Sequence, residues 1–266
     1  MMNIIVLSPI DLAIAALLVI ATALLSWILR FGISLRLIIA GLRTTLQLLL
    51  LGLILKTLFT TIYHGWLAIM AVVMLLAASR EVISRQKLKL SGMWGFGLGM
   101  ISMCVSSFSI TIMALIVIIQ VDPWYTPQYA IPLLGMLLGN TMNGIAIGLD
   151  RLTATAWNLR STIETRLMLG EQWNQAIGDI RRESFRSGMI PIINSMSVAG
   201  LVSLPGMMTG QILGGNPPFE AVKYQILIMF LIAAGTGFGT IIAVWLASRR
   251  LFDERQRLRM DRIQVK

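Results

Sequence analysis

Charge is scarce in this sequence: 13% of its 266 residues are Asp, Glu, Lys or Arg, against about a quarter in a soluble domain. Cysteine and histidine are scarcer still, with Cys104 and His64 the sole examples. A lone cysteine excludes an internal disulfide or a paired-cysteine metal site. A lone histidine leaves a histidine-based metal centre or triad without partners. No Gly-Lys pair occurs anywhere, which removes the P-loop way of cradling a nucleotide. H-E-x-x-H and G-x-S-x-G are missing too, and no carboxylate lies deep in an apolar window. Membrane proteases and proton-coupled carriers need intramembrane ionisable groups, so this residue set argues against an enzyme and against proton coupling.

What is abundant is apolar. Hydrophobic residues make up 56% of the chain and mean hydropathy is +0.80, with the charges bunched between long uncharged runs. A crossing helix needs about 20 mostly apolar residues, and seven windows supply them: 11–29, 37–59, 63–79, 93–119, 129–149, 188–213 and 221–247. The third is short. No basic region precedes the first and it has no small-residue cleavage site, so it reads as a span and not a removable signal. The expected fold is an all-α polytopic bundle forming one domain over 1–266. It includes a cytoplasmic insertion over 150–187 and a charged tail over 249–266, read as a solvated helix extending the last span.

The net charge of +10 does not point to nucleic acid, because position explains it. Nineteen Lys and Arg fall in alternate connections and the tail, two (Lys56 and Lys223) in the others, and Arg43 within a span. Basic residues stay on the cytoplasmic side, which puts the N-terminus outside and the C-terminus inside a multi-pass cell-membrane protein.

Within the insertion, Leu152, Ala156, Leu159, Ile163 and Leu167 form one helical stripe. Gly170 interrupts, as glycines do past a helix end. Trp173, Ala176, Ile177 and Ile180 begin a second stripe. Two amphipathic helices follow, which either pack on each other or the membrane surface or dock a soluble partner. In the fifth window, Gly135, Gly139 and Asn143 recur every four residues, with Asn140, Gly144 and Gly148 beside them. Such rows let backbones approach closely; alternatively Asn140 and Asn143 face a polar passage. Arg36, Arg43 and Gln47 share a face of the second span. Arg43 lies roughly 10 Å in, able to snorkel or to line the bundle interior.

Most of the 17 methionines fill irregular core space. Met207 and Met208, beside a helix break in "GLVSLPGMMTG", are the thioether pair that could touch a soft metal; the metal itself is not identified by sequence. Pro205 cannot continue a helix, and lipid tolerates broken backbone only inside protein or against a cavity. Ser203, Pro205, Gly206, Met207, Met208 and Thr209 are therefore expected to face the bundle interior as a hinge, a cargo contact or a packing kink.

"GLVSLPGMMTGQILGG" with "PPFEAVKYQI", "GLRTTLQLLLLG" and "IPLLGMLLGNTMN" together resemble the FetB-type iron-export permease family, which is itself similar to plant aluminium-sensitivity membrane proteins. The resemblance covers essentially the whole chain. It implies a membrane subunit of an ABC transporter, working as a homodimer with a separately encoded ATPase subunit that uses the ATP; this chain would bind no cofactor of its own. "ETRLMLG" resembles the coupling loop of ABC importers in its Glu-to-Gly spacing, which singles out Glu164, Arg166 and Gly170. The spans offer amides, hydroxyls, carbonyls and thioethers, whereas iron(II) favours carboxylate and imidazole. Iron held only in passing, or a different exported species, both fit. A stand-alone carrier or channel for a metal cation is the alternative.

Overall fold

A computed structural model describes residues 8–60 and 64–265. Tyr63, where the third expected span begins, and Lys266 lie outside the described residues. The chain forms two compact units.

The first is a hairpin of α1 (Pro9–Ile28) and α2 (Ser34–Thr60). Ser8 starts α1 with a capping box, its Oγ accepting from the Asp11 amide while Asp11 Oδ2 accepts from the Ser8 amide at 2.8 Å. Two orphan donors at the helix start are thereby satisfied. α2 exposes most of its apolar side chains, as expected of a span that faces lipid or another chain.

The second unit is a bundle. α3 (His64–Arg85) leads through strand β1 (Leu88–Leu90) to the span Trp94–Ile118, in which α4 (Trp94–Met103) and α5 (Ser109–Met113) are each followed by a wider i→i+5 turn. α6 (Pro127–Asn158) comes next, then the short α7 (Arg160–Met168) and α8 (Trp173–Ala176). α9 (Gly178–Val198), α10 (Gly206–Leu213) and α11 (Pro218–Arg250) complete the helices, and strand β2 (Ile263–Val265) closes the chain.

Glycine sets the packing of α6, α9 and α11. A Cβ on Gly144 would stand 2.5 Å from Thr236 Cγ2 and 2.8 Å from Thr240 Oγ1. One on Gly188 would stand 2.6 Å from the Gly144 carbonyl oxygen, and one on Gly148 would stand 3.3 Å from the Ser184 carbonyl oxygen. Residues 144 and 148 thus face 188 and 184, so α9 runs antiparallel to α6. The contacts of Gly235 with Leu137 and of Gly148 with Val244 advance in step, so α11 runs parallel to α6. Of the two rows in the fifth window, Gly144 and Gly148 form this seam. Gly135 meets Met74 instead, and Gly139 has open space.

Six helices among the described residues are long and apolar enough to cross a membrane, where seven crossings are expected. The difference lies at 188–213, which is two helices and a seven-residue break instead of one kinked span. Gly200, at φ +82°, takes the chain out of α9, a backbone conformation only glycine enters freely. The Val198 carbonyl accepts from the amides of Val202 and Ser203, and the Gly200 amide donates to the Ser203 carbonyl at 2.9 Å. Pro205 immediately precedes α10, and its carbonyl accepts from the Thr209 amide at 3.1 Å and from Thr209 Oγ1 at 3.2 Å. A proline at a helix start has no bond to lose. Pro205 therefore begins a helix and interrupts none.

Two other expectations change, and one of the alternatives left open for the insertion is selected. α3 continues past Ser79 to Arg85 and is 22 residues long, not short. The tail is not a solvated helix, because β2 pairs antiparallel with β1, with Leu90 opposite Ile263 and both buried. The insertion's two stripes pack on each other and on the tail: Ile163, Ala176 and Ile177 are buried in one cluster with Leu251 and Phe252. The described chain is helical apart from this two-stranded sheet and its connections.

The seam gives a direct check. Gly144→Ala is expected to destabilise the protein by about 1–3 kcal/mol, the range for overpacking, read as a lowered thermal midpoint in detergent. Gly139→Ala, in open space, should leave the midpoint unchanged or slightly raised.

Candidate functional site

The bundle has two chemically different ends. Asp150 on α6 caps the start of the β1 connection, its Oδ1 accepting from the Lys87 amide at 2.8 Å. Thr153 Oγ1, on the next turn, donates to the Leu88 carbonyl at 3.0 Å. These bonds place the end of α3, with Arg85, beside the last turns of α6. From there the Arg85 guanidinium reaches back along α6 and donates to Asn143 Oδ1. It also pairs with Glu81 on its own helix at 3.4 Å. Glu81, Arg85 and Asn143 make a charged and amide cluster roughly 10 Å inward from Asp150, by helix rise. Asn140, three residues before Asn143, donates Nδ2 to the Met136 carbonyl at 2.8 Å and stays with its own helix.

At the opposite end, where α6 and α11 begin, a cavity of about 440 Å³ is lined by Tyr129, Met136, Met207, Gln211, Glu220 and Tyr224, among others. It joins α6, α10 and α11. α9 leaves the end of the bundle where α6 finishes, and α10 lies at the end where α6 starts, so 178–213 traverses the bundle despite its break. Two thioethers, three amides (Gln128, Gln211 and Asn216), two phenols and a carboxylate are a mixed donor set, suited to loose contact with a borderline or soft cation more than to a tight hard-ion cage. Glu220 Oε1 is 2.7 Å from Lys223 Nζ, so its charge is partly neutralised. Among the described residues no cluster of three or more His, Cys, Asp or Glu could hold a metal.

The predicted site residues are thus scattered and not gathered in one place. Met207 lines the cavity; Met208 is half-buried outside it. Pro205 and Thr209 are half-buried, but Ser203 and Gly206 are exposed, and Leu201 is 88% exposed. The expectation that Ser203–Thr209 turns inward as a block is corrected: the break itself projects outward because Gly200 reverses the chain before α10 begins. Arg43 and Gln47 are exposed on α2 within the hairpin unit.

At the basic end, α7 and its turn form a second feature. Arg166 Nη1 pairs with Asp179 Oδ2 at 3.1 Å and donates to the Ala176 carbonyl at 3.4 Å, tying α7 to α8 and α9. Gly170 takes φ +93° to make the turn. Glu164 is exposed, and Met168 and Leu169 are each 80% exposed at the tip. Large apolar side chains held out on a tied-down turn are the kind of surface a partner covers.

Two carboxylates escape a hydropathy reading of the sequence for one reason. Glu81 lies two residues beyond the apolar window of α3, and Glu220 lies one residue before that of α11. Hydropathy ends where the first charge appears, whereas the helix continues. The i,i+4 spacing of Glu81 and Arg85 is a signal that could have extended α3.

Comparison with known proteins is consistent with the apolar crossings. The model of the uncharacterised protein family UPF0014 matches residues 9–252. The chain belongs to that family. The UPF0014 membrane protein slr1647 of Synechocystis is 41% identical over 90% of this chain and 91% of its own length. The "Probable iron export permease protein FetB" of Escherichia coli is 29% identical over 96% of each chain. The "Protein ALUMINUM SENSITIVE 3" of Arabidopsis thaliana is 29% identical over 92% of this chain and 88% of its own. No solved structure matches. Family membership and the apolar helices together make this UPF0014 protein a multi-pass membrane protein.

Accessibility separates the cavity from the seam. In a Cys104→Ser background, Met207→Cys should react with a water-soluble maleimide, while Leu137→Cys, fully buried, should react at least about tenfold more slowly, as expected of a thiol shut away from solvent. Mass shift on a gel reads both.

Proposed function

We propose that this UPF0014 protein is the membrane-spanning permease subunit of an ABC transporter, exporting a metal ion or small solute with ATP hydrolysed by a separate ATPase subunit. Iron is the first cargo to test, because a relative matched over 96% of its length is named an iron export permease. The observation that carries the reading is the tip of α7: Glu164, Met168 and Leu169 are presented to solvent at the basic end by the Arg166–Asp179 pair and the Gly170 turn. A coupling element must be rigidly tied to the spans and exposed at the cytoplasmic face; the ion pair supports the first condition, and exposure at the basic end supports the second.

The traverse of 178–213 supports seven crossings, and the basic bias supports an outside N-terminus and a cytoplasmic C-terminus. In this reading Met136 and Met207 line an outward-facing cavity that contacts cargo in passing, and the loop at Gly200 is the hinge. Asn194 lies on the exposed distal half of α9 with Ile190, Ile193 and Met196. An amide is costly against lipid, which supports a second copy of the chain facing α9.

Affinity capture of the tagged chain from its own membranes should bring down a P-loop ATPase whose hydrolysis rises with the exported metal. Glu164→Ala should lower that stimulation by roughly tenfold, the loss from one central interface contact, with membrane insertion unchanged. Recovery of the chain without an ATPase, together with unchanged cell metal content on deletion, would exclude the reading.

A further inference from the structure

The tail that folds back onto β1 builds a second cavity, at the basic end and distinct from the coupling tip. It has a volume of about 520 Å³ and is lined by five arginines (249, 250, 255, 257 and 262) against two carboxylates, Asp253 and Glu254. Asp253 is already engaged: Arg257 donates to it from its backbone amide at 2.8 Å and from Nε at 3.0 Å. Those hydrogen bonds hold the Asp253 carboxyl below its ordinary range. Arg262 is fixed by Nη1, which donates to the carbonyls of Arg250 at 2.7 Å and Phe252 at 3.2 Å. Among the described residues no ion pair neutralises Arg249, Arg250 or Arg255.

Orientation in the membrane needs only solvated basic residues near a span end. Here they are organised instead. The Arg250 guanidinium lies 4.3 Å from the ring centroid of Trp94, and that of Arg249 lies 5.3 Å from the ring of Trp173. The β1–β2 pairing carries Arg262 back over the end of α11. The remaining wall is apolar: Trp94 and Leu98 at the start of α4, and Leu246 one turn inside α11. A guanidinium cluster at the water end that outnumbers its carboxylates five to two, with an apolar wall leading into two membrane-crossing helices, matches one kind of ligand. It is a phosphate group attached to a hydrocarbon chain.

We propose that this cavity binds a phosphate-bearing anion, supplied by an anionic phospholipid of the leaflet at the basic end. The headgroup phosphate accepts from Arg250, Arg255 and Arg249, and the first acyl carbons lie along Trp94, Leu98 and Leu246. Basic pockets beside span ends recognise anionic headgroups in this way, each arginine contributing about 1 kcal/mol, or roughly fivefold in affinity. The tail thereby becomes a lipid clamp whose closure on β1 and whose ligand stabilise one another.

Native mass spectrometry of the purified full chain reads the site. Phosphatidylglycerol should be retained about tenfold more than phosphatidylcholine, in line with two or more guanidiniums per headgroup. Arg250→Gln and Arg255→Gln should each reduce that retention roughly fivefold. Arg160→Gln, whose guanidinium lies elsewhere over Trp157, should not. The Arg255 side chain is exposed, so its variant tests the site even where Arg250→Gln impairs folding. Retention of inorganic phosphate with no preference for phosphatidylglycerol assigns the site to a soluble anion and overturns the lipid source. Equal retention of both lipids with no phosphate bound, or equal phosphatidylglycerol retention by all three variants, overturns the site altogether.

Discussion

Two helix backbones meet at Gly144 and Gly188, with side chains of a third against them, and most of the bundle's arrangement follows from that approach. Lipid tails are as apolar as leucine, so helices inside a bilayer gain little by hiding apolar surface from it. They associate through close van der Waals contact instead. Gly144, Gly148 and Gly188 permit that contact between α6 and α9, while Thr236 and Thr240 fill the space from α11. Antiparallel α9, packed against parallel α6 and α11, fixes where each of these helices begins and ends. It holds the base of α9 at the basic end, beside the α7 turn, and delivers α10 to the other end, beside Met136 and Glu220. A single methyl group at the seam would loosen both ends together.

That geometry relates the two ends through one interrupted element. The first half of 178–213 is clamped in the seam. The second half is a short helix that begins at Pro205 and carries Met207 into the cavity. Between them, Gly200 and the bonds gathered on the Val198 carbonyl form a loop in which the amides of Gly200, Leu201, Val202 and Ser203 find local partners. In the proposed mechanism, ATP-driven movement of the α7 turn reaches the cavity through α9, with the loop as the point of flexure. The Arg85–Asn143 contact separately joins α3 to α6 partway in.

The apolar crossings are legible in the sequence because uncharged runs of about 20 residues suit the thickness of a bilayer and little else. So are the small-residue contacts at Gly144 and Gly148, where spacing alone indicates close approach. The helix ends are not, since hydropathy cannot follow a helix past its first charge; Glu81, Arg85 and Glu220 escape for that reason. The fold of the tail is hidden because Leu251 and Phe252 are a lone apolar pair and Ile263 a lone apolar residue among charges, and the pairing that buries Ile263 is with β1, far earlier in the chain. Pro205 does mark a break, but it is not the residue that interrupts the helix. Gly200 ends α9 five residues before it, and the proline then has only to start α10.

ATP-dependent flux into inside-out proteoliposomes tests the account's central claim most directly. The liposomes would hold this chain with its copurified ATPase, with iron(II) as the first cargo. The account predicts accumulation that needs both the ATPase and ATP, and that is lost when either is withheld. Metal flux of the same size through liposomes containing this chain alone, without ATP, would contradict it and make the protein a carrier or channel in its own right.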